Sequence, residues 1–240
     1  MVNTVAFPSL RSVAEDWAQL LRGAERVTDH LPPSYGATLY AGYAAQEQQL
    51  LALLNRTDSP AYESMSTSWG QLAVSAMQPF SRGVVEARSP ASVFPDATEA
   101  GAGPRIDPRY CSHPFDCEVL LRGLGVNDRL IRTESMASLR PVLPDEPGLG
   151  EEDENGDEDR DTLRRETVRR LLRTEFHPSG TAAMMPLDRG GVVDTSLRVY
   201  GTRNLRVVDA GIVPLIPDGH LQAAVYALAE KVRSRVYFVF

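Results

Sequence analysis

The chain has 240 residues, 42% of them apolar, enough for one large domain or two small ones around a sizeable core. Its 25 basic and 32 acidic residues give a net charge of -7, but positions 145–161 hold ten of the acidic residues and one Arg, so the rest of the chain carries 24 against 22 and stands at +2. A near-neutral body excludes a basic nucleic-acid surface, the longest apolar run (Leu221 to Ala229) falls far short of the ~18 residues of a membrane span, and two cysteines exclude a disulfide scaffold.

Residues 9–30 read as an amphipathic helix, with Val13, Trp17, Leu20 and Leu21 at helical spacing behind Ser9 or Ser12 as cap. The Pro32-Pro33 pair blocks continuation. Residues 37–54 give a second helix, with Tyr40, Tyr43, Leu50 and Leu53 as its apolar positions. Both are packing helices. Gln71 to Gln78 and Gly83 to Arg88 read as strands joined by a turn at Pro79 to Gly83. Residues 89–109, rich in Pro, Ala and Gly, read as loop. Asp116 is placed to cap a helix over 117–132, with Val119, Leu120, Leu124 and Leu130 inward.

Residues 141–161 are acidic and of low complexity, a composition that reads as a solvated, mobile loop. A calcium loop centred on Gly156 would put Thr162 where a bidentate Glu is needed, and no helix precedes it. Thr162 to Arg173 follows as a helix with Leu163, Val168, Leu171 and Leu172 on one face. Further on, Gly191 to Asp194 and Leu197 to Tyr200 are short β-like pieces, and Leu205 to Ala210 reads as a buried strand. Pro214 and Pro217 keep 211–219 irregular, and Leu221 to Val236 is a helix without Gly or Pro.

Several chemical motifs are absent. There is no P-loop, no G-x-S-x-G and no H-E-x-x-H. Three G-x-G pieces, at 101, 123 and 148, lack the third Gly and a preceding strand. Cys111 and Cys117 flank His113 at a spacing that is not a zinc spacing, so two buried or loop thiols are expected. Of the four histidines, His177 and His220 stand out, because each lies in an irregular segment bordered by Pro and Gly where functional groups are displayed.

The ordered combination is more specific than any single piece. Phe176-His177-Pro178-Ser179-Gly180-Thr181-Ala182-Ala183-Met184 is followed by Gly190-Gly191-Val192-Val193-Asp194, then Val199-Tyr200-Gly201, Asn204 to Ala210, and Gly219-His220-Leu221-Gln222 running on to Lys231. This closely resembles the C-terminal signature of the glucose–methanol–choline (GMC) flavin oxidoreductases. The stretches Gln78 to Gly83 and Ile106 to Tyr110 look like the same family's substrate domain, while the first seventy residues match only loosely.

The resemblance implies an α+β architecture: a substrate domain over 1–175, with an antiparallel sheet and helices, and a segment over 176–240 that contributes one strand and one helix to an FAD-binding domain. It implies FAD as cofactor, an alcohol as substrate, oxygen or a quinone as electron acceptor, and no nucleic-acid partner. By resemblance, His177 is the general base, and His220 is the second active-site position, which is His or Asn in the family. Asp209 and Ala210 match the strand end beside the flavin pyrophosphate. Leu221 matches a residue whose backbone borders the isoalloxazine, with Gln222 close by. These residue types suit the chemistry. A neutral imidazole takes a hydroxyl proton near physiological pH, a second holds the substrate oxygen, and a flavin takes the hydride that no side chain accepts. The family's dinucleotide fingerprint has no counterpart here, so the expectation is a C-terminal portion that does not hold FAD tightly alone. The rival expectation is a catalytically dead fragment that acts as a folding or binding module.

Overall fold

The computed structural model describes residues 2–67, 70–88, 103–138 and 158–233. The expected α+β character is present: helices lie beside two antiparallel sheets. Strand β1 (Val2–Ala6) pairs with β2 (Tyr62–Thr67), and β2 pairs with β3 (Leu72–Ala76), giving the order β1-β2-β3. Strands β4 (Val84–Glu86) and β5 (Arg105–Asp107) form a separate antiparallel pair. The turn at 79–83 therefore carries the chain from one sheet to the other instead of closing a hairpin between β3 and β4. Strands β1 and β2 were not expected, and β5 corrects the reading of 89–109 as loop throughout: Arg105–Asp107 pairs with β4.

The helix expected over 9–30 is two pieces, α1 (Leu10–Val13) and α2 (Trp17–Ala24). The break lets Leu10 and Ala14 enter the core together with Leu21 and Ala24. Helix α3 (Ala37–Leu54) matches expectation; Tyr43 and Leu50 are buried, whereas Tyr40 is exposed. Helix α4 (Pro114–Ile131) is capped by His113, not Asp116: the His113 Nδ1 accepts from the Phe115 N–H at 3.1 Å. Asp116 is buried instead, and its carboxylate accepts from the Phe80 and Ser81 N–H groups at 2.9 and 2.7 Å. Val119 and Leu120 point inward as expected, but Leu130 is exposed at the helix end. A Cβ at Gly123 would collide with Val74 and Tyr62, so glycine is what allows α4 to lie this close to the sheet.

A short helix α5 (Glu134–Ala137) follows. Most of the acidic tract lies outside the described residues; its last residues open helix α6 (Glu158–Leu171). Of the apolar positions expected on α6, Val168 is buried, while Leu163 and Leu171 are exposed, so the apolar face is narrower than its spacing suggested. The cysteines are a correction. Cys111 and Cys117 are joined as a disulfide, which ties the turn before α4 to its first helical turn. The pattern of two cysteines six apart resembled no known site, and only the fold reveals that they face each other.

One apolar cluster, Cys111, Cys117, Leu120 and Val168, packs where α6 meets α4, and two further cores position the site. One gathers Leu10, Leu50, Leu54, Tyr62, Phe80, Phe115 and their neighbours. The other, at the C-terminal end, is Val193, Leu197 and Ile212, with Leu228 and Val232 of α7 (Leu221–Arg233) packed against it. The expected strand over 205–210 reduces to a single bridge between Arg198 and Arg206, and Leu205 is 56% exposed. An extended β-rich segment with no strand on its outer side has nothing to complete a ladder.

Candidate active site

Two backbone segments converge at the expected histidines. After α6 the chain turns at Phe176, a non-glycine residue in the left-handed region (φ 60°), and runs through His177 to a second left-handed position at Gly180. Residues 180–184 then pair with a short 3-10 turn, Ala210–Ile212. The Ala182 N–H donates to the Gly211 carbonyl and the Met184 N–H to the Ile212 carbonyl, both at 2.8 Å. Ile212 is fully buried and fixes this turn in the C-terminal core. From there residues 213–219 return irregularly, as Pro214 and Pro217 dictate, to His220.

The imidazoles of His177 and His220 meet directly. His177 Nε2 lies 2.8 Å from His220 Nδ1, and the rings cross at 83° with centroids 4.9 Å apart. The His220 side chain is 46% exposed, so the pair opens to solvent. A residue absent from the sequence reading completes the arrangement. Glu63, on β2, is only 2% exposed, and its Oε1 accepts from His220 Nε2 at 3.2 Å. A carboxylate only accepts, so the proton of that bond sits on His220 Nε2. The faint signal was a lone carboxylate in the otherwise strand-like Tyr62 to Met65, but without β2 nothing linked it to a histidine 157 residues away.

The remaining predicted residues lie on the flanks. Asp209 is exposed, and its side chain is engaged: Oδ1 accepts from the Gly211 N–H at 2.7 Å and caps the 3-10 turn. Ala210 opens that turn. Leu221 is buried and anchors the start of α7 immediately after His220. The other two histidines, His30 and His113, meet edge to face inside the molecule against Phe80 and Tyr43, away from this site. No group of side chains suited to a metal ion occurs among the described residues, and no described helix is long and apolar enough to cross a membrane.

The GMC oxidoreductase family model matches residues 79–229, a span that takes in both histidines. The chain belongs to the GMC oxidoreductase family. It is 37% identical over 165 residues to the GMC oxidoreductase family protein Mala s 12 of Malassezia sympodialis, covering 68% of this chain and 24% of that protein. Its fold is similar to that of a fungal aryl-alcohol oxidase (27% identity, TM-score 0.74) and of an FAD-dependent oxidoreductase from Chaetomium thermophilum (28% identity, TM-score 0.75). Each superposition covers 96% of this chain and 37% of the other. The GMC chain thus spans about a quarter of that curated relative and somewhat over a third of the solved structures it resembles.

Proposed function

We propose that this chain is the substrate-side and histidine-bearing portion of an FAD-dependent oxidoreductase that converts a CH–OH group to an aldehyde or ketone. The observation that carries the reading is the Glu63–His220–His177 chain of hydrogen bonds at an open edge of the molecule. Residues 1–175 form the substrate-binding part, and 176–240 belong to the FAD-binding domain. The residues present fit the edge of a flavin: two imidazoles face solvent together, and the Ala210 N–H opens its turn with no partner among the described residues. Ala210 and the backbone at Leu221 would border the cofactor, and Asp209 would act by shaping the turn. When bound, FAD supplies the hydride acceptor, with oxygen or a quinone reoxidising it.

The side chains handle the proton. The direct His177–His220 bond occupies the place of a substrate oxygen, so an alcohol enters by separating the rings. Its hydroxyl proton passes to His177 Nε2, while His220 Nδ1–H donates to the developing alkoxide. Glu63 makes this division possible. Its carboxylate accepts from His220 Nε2–H, and a His220 imidazolium donates from both ring nitrogens at once.

The test is turnover in a chimera in which this chain replaces the matching part of the aryl-alcohol oxidase it resembles. Loaded with FAD and given primary alcohols without oxygen, it should lose its visible flavin absorbance. His177→Ala should slow that bleaching by about two to four orders of magnitude, and His220→Asn by less. Bleaching at an unchanged rate in His177→Ala would overturn the assignment of the base.

A further inference from the structure

His220 sits on a segment with little backbone support. Among the described residues, the only backbone–backbone hydrogen bond made by 214–219 is the tight turn from the Gly219 N–H to the Pro217 carbonyl, at 2.8 Å. Gly219 has φ of +144°, a region that L side chains rarely adopt, and a Cβ there would meet nothing, so the position is a swivel and not a packing contact. Leu215 anchors the segment upstream by packing against the first core. Next to the swivel, the Asp218 carboxylate accepts from the side-chain amide of Gln78.

Gln78 is rigidly mounted. It is 3% exposed and lies two residues beyond the end of β3; the Met77 N–H donates to the Ala61 carbonyl on one side, and the Phe80 N–H to buried Asp116 on the other. Glu63 belongs to the same sheet, where Tyr62 pairs with Ala76. The sheet therefore grips the segment on both sides of Gly219: Gln78 holds Asp218, and Glu63 holds His220.

We propose that Gln78 and Asp218 form a positioning pair that sets the rotation of the 217–220 turn and so presents the His220 ring to His177. Neither residue touches the reacting atoms. Their importance for turnover rests on the oxidoreductase reading above, whereas the geometric claim stands apart from it. With the Gln78 amide removed, the Asp218 carboxylate keeps only the buried Ser59 side chain beside it, the turn gains freedom about Gly219, and the Glu63 contact fixes one end of the imidazole without fixing its plane.

The chain labelled with 15N-histidine tests this without flavin or alcohol. The wild-type protein should show a slowly exchanging, downfield imidazole proton shared between His177 and His220. Gln78→Leu and Asp218→Ala should each lose that signal while the main-chain amide spectrum of the sheet is retained. Asp218→Asn, which keeps an acceptor for the Gln78 amide, should preserve it. If Gln78→Leu does not fold, Asp218→Ala decides alone, because Asp218 is exposed on a turn. Persistence of the signal in Asp218→Ala, or its loss in Asp218→Asn, overturns the proposal. A chimera that fails to oxidise alcohols while these spectra behave as expected would sink the oxidoreductase reading and leave the clamp standing.

Discussion

The four histidines form two pairs that are close in geometry and opposite in setting. His30 and His113 cross at 80° with centroids 4.6 Å apart; His177 and His220 cross at 83° and 4.9 Å. The first pair is 5% and 1% exposed, enclosed by Tyr43, Phe80 and Phe115. The second opens to solvent and leans on one buried carboxylate. Ring contact is thus no mark of function. The inner pair is locked into neutral roles: His113 Nδ1 must accept from Phe115 to cap α4, and His30 Nε2 donates to the Phe80 carbonyl at 3.3 Å.

The largest expected effect follows from that confinement. Burial pushes both inner histidines from 6.5 down to about 4. Between those values the unfolded chain binds more protons than the folded one, so their contribution to stability is intact above pH 6.5 and is lost as pH falls towards 4. At roughly 1.4 kcal/mol per unit, each costs roughly 3 kcal/mol by pH 4, together a large share of the stability of a typical domain. Urea unfolding followed from pH 7.5 to 4 should show this fall. His113→Asn retains a capping acceptor without a titrating ring, and should remove about half of it. An equal acid loss in that variant would show that the inner pair is not the acid-sensitive element.

The outer pair breaks at Glu63. In the FAD-loaded chimera, Glu63→Gln keeps the shape and an acceptor but removes the carboxylate charge beside His220. The expected loss in turnover is about 10- to 100-fold, the worth of ~1.5–3 kcal/mol for a hydrogen bond to a charged group. The KM for the alcohol should change less, because the charge acts on the developing alkoxide and not on the neutral alcohol. A loss confined to KM would make Glu63 a binding residue and not a positioning one.

The contrast between the pairs also marks how far the sequence could be read. His177 and His220 were legible because each sits in an irregular Pro/Gly-bordered segment whose order matches a family signature. Helices α3, α4 and α6 were legible from periodicity. Glu63 was not, since its role exists only through the register that places β2 beneath the 217–220 turn, and β2 itself has a mixed Tyr-Glu-Ser-Met-Ser-Thr pattern with no clean alternation. The split of the first helix into α1 and α2 and the pairing of Cys111 with Cys117 were hidden for the same reason: tertiary packing decided them. Asp116 shows the converse. Its position near a helix start suggested a cap, yet the carboxylate was recruited by two amides of the 79–83 turn 35 and 36 residues away.

The smallest expected effect separates shaping from contact on the outer side. Asp209 was matched to a cofactor-bordering position, but in the fold its carboxylate is spent on the Gly211 N–H. Asp209→Ala removes an N-cap, which typically costs about 1 kcal/mol, and for a chain of this size that lowers the thermal midpoint by about 2–4 °C. The loss should spread in one direction. The Gly180 N–H donates to the Ala210 carbonyl and the Ala182 N–H to the Gly211 carbonyl, so loosening the 210–212 turn loosens the strand-like segment that follows His177. Amide exchange should therefore quicken at Gly180 and Ala182 while the amides of β2 and β3, which hold Glu63 and Gln78, keep their protection. Asp209→Asn retains an acceptor and should leave both midpoint and exchange close to wild type. If Asp209→Ala leaves exchange at Gly180 and Ala182 unchanged, the cap does not support the His177 side of the site, and the side chain's value lies elsewhere in the protein.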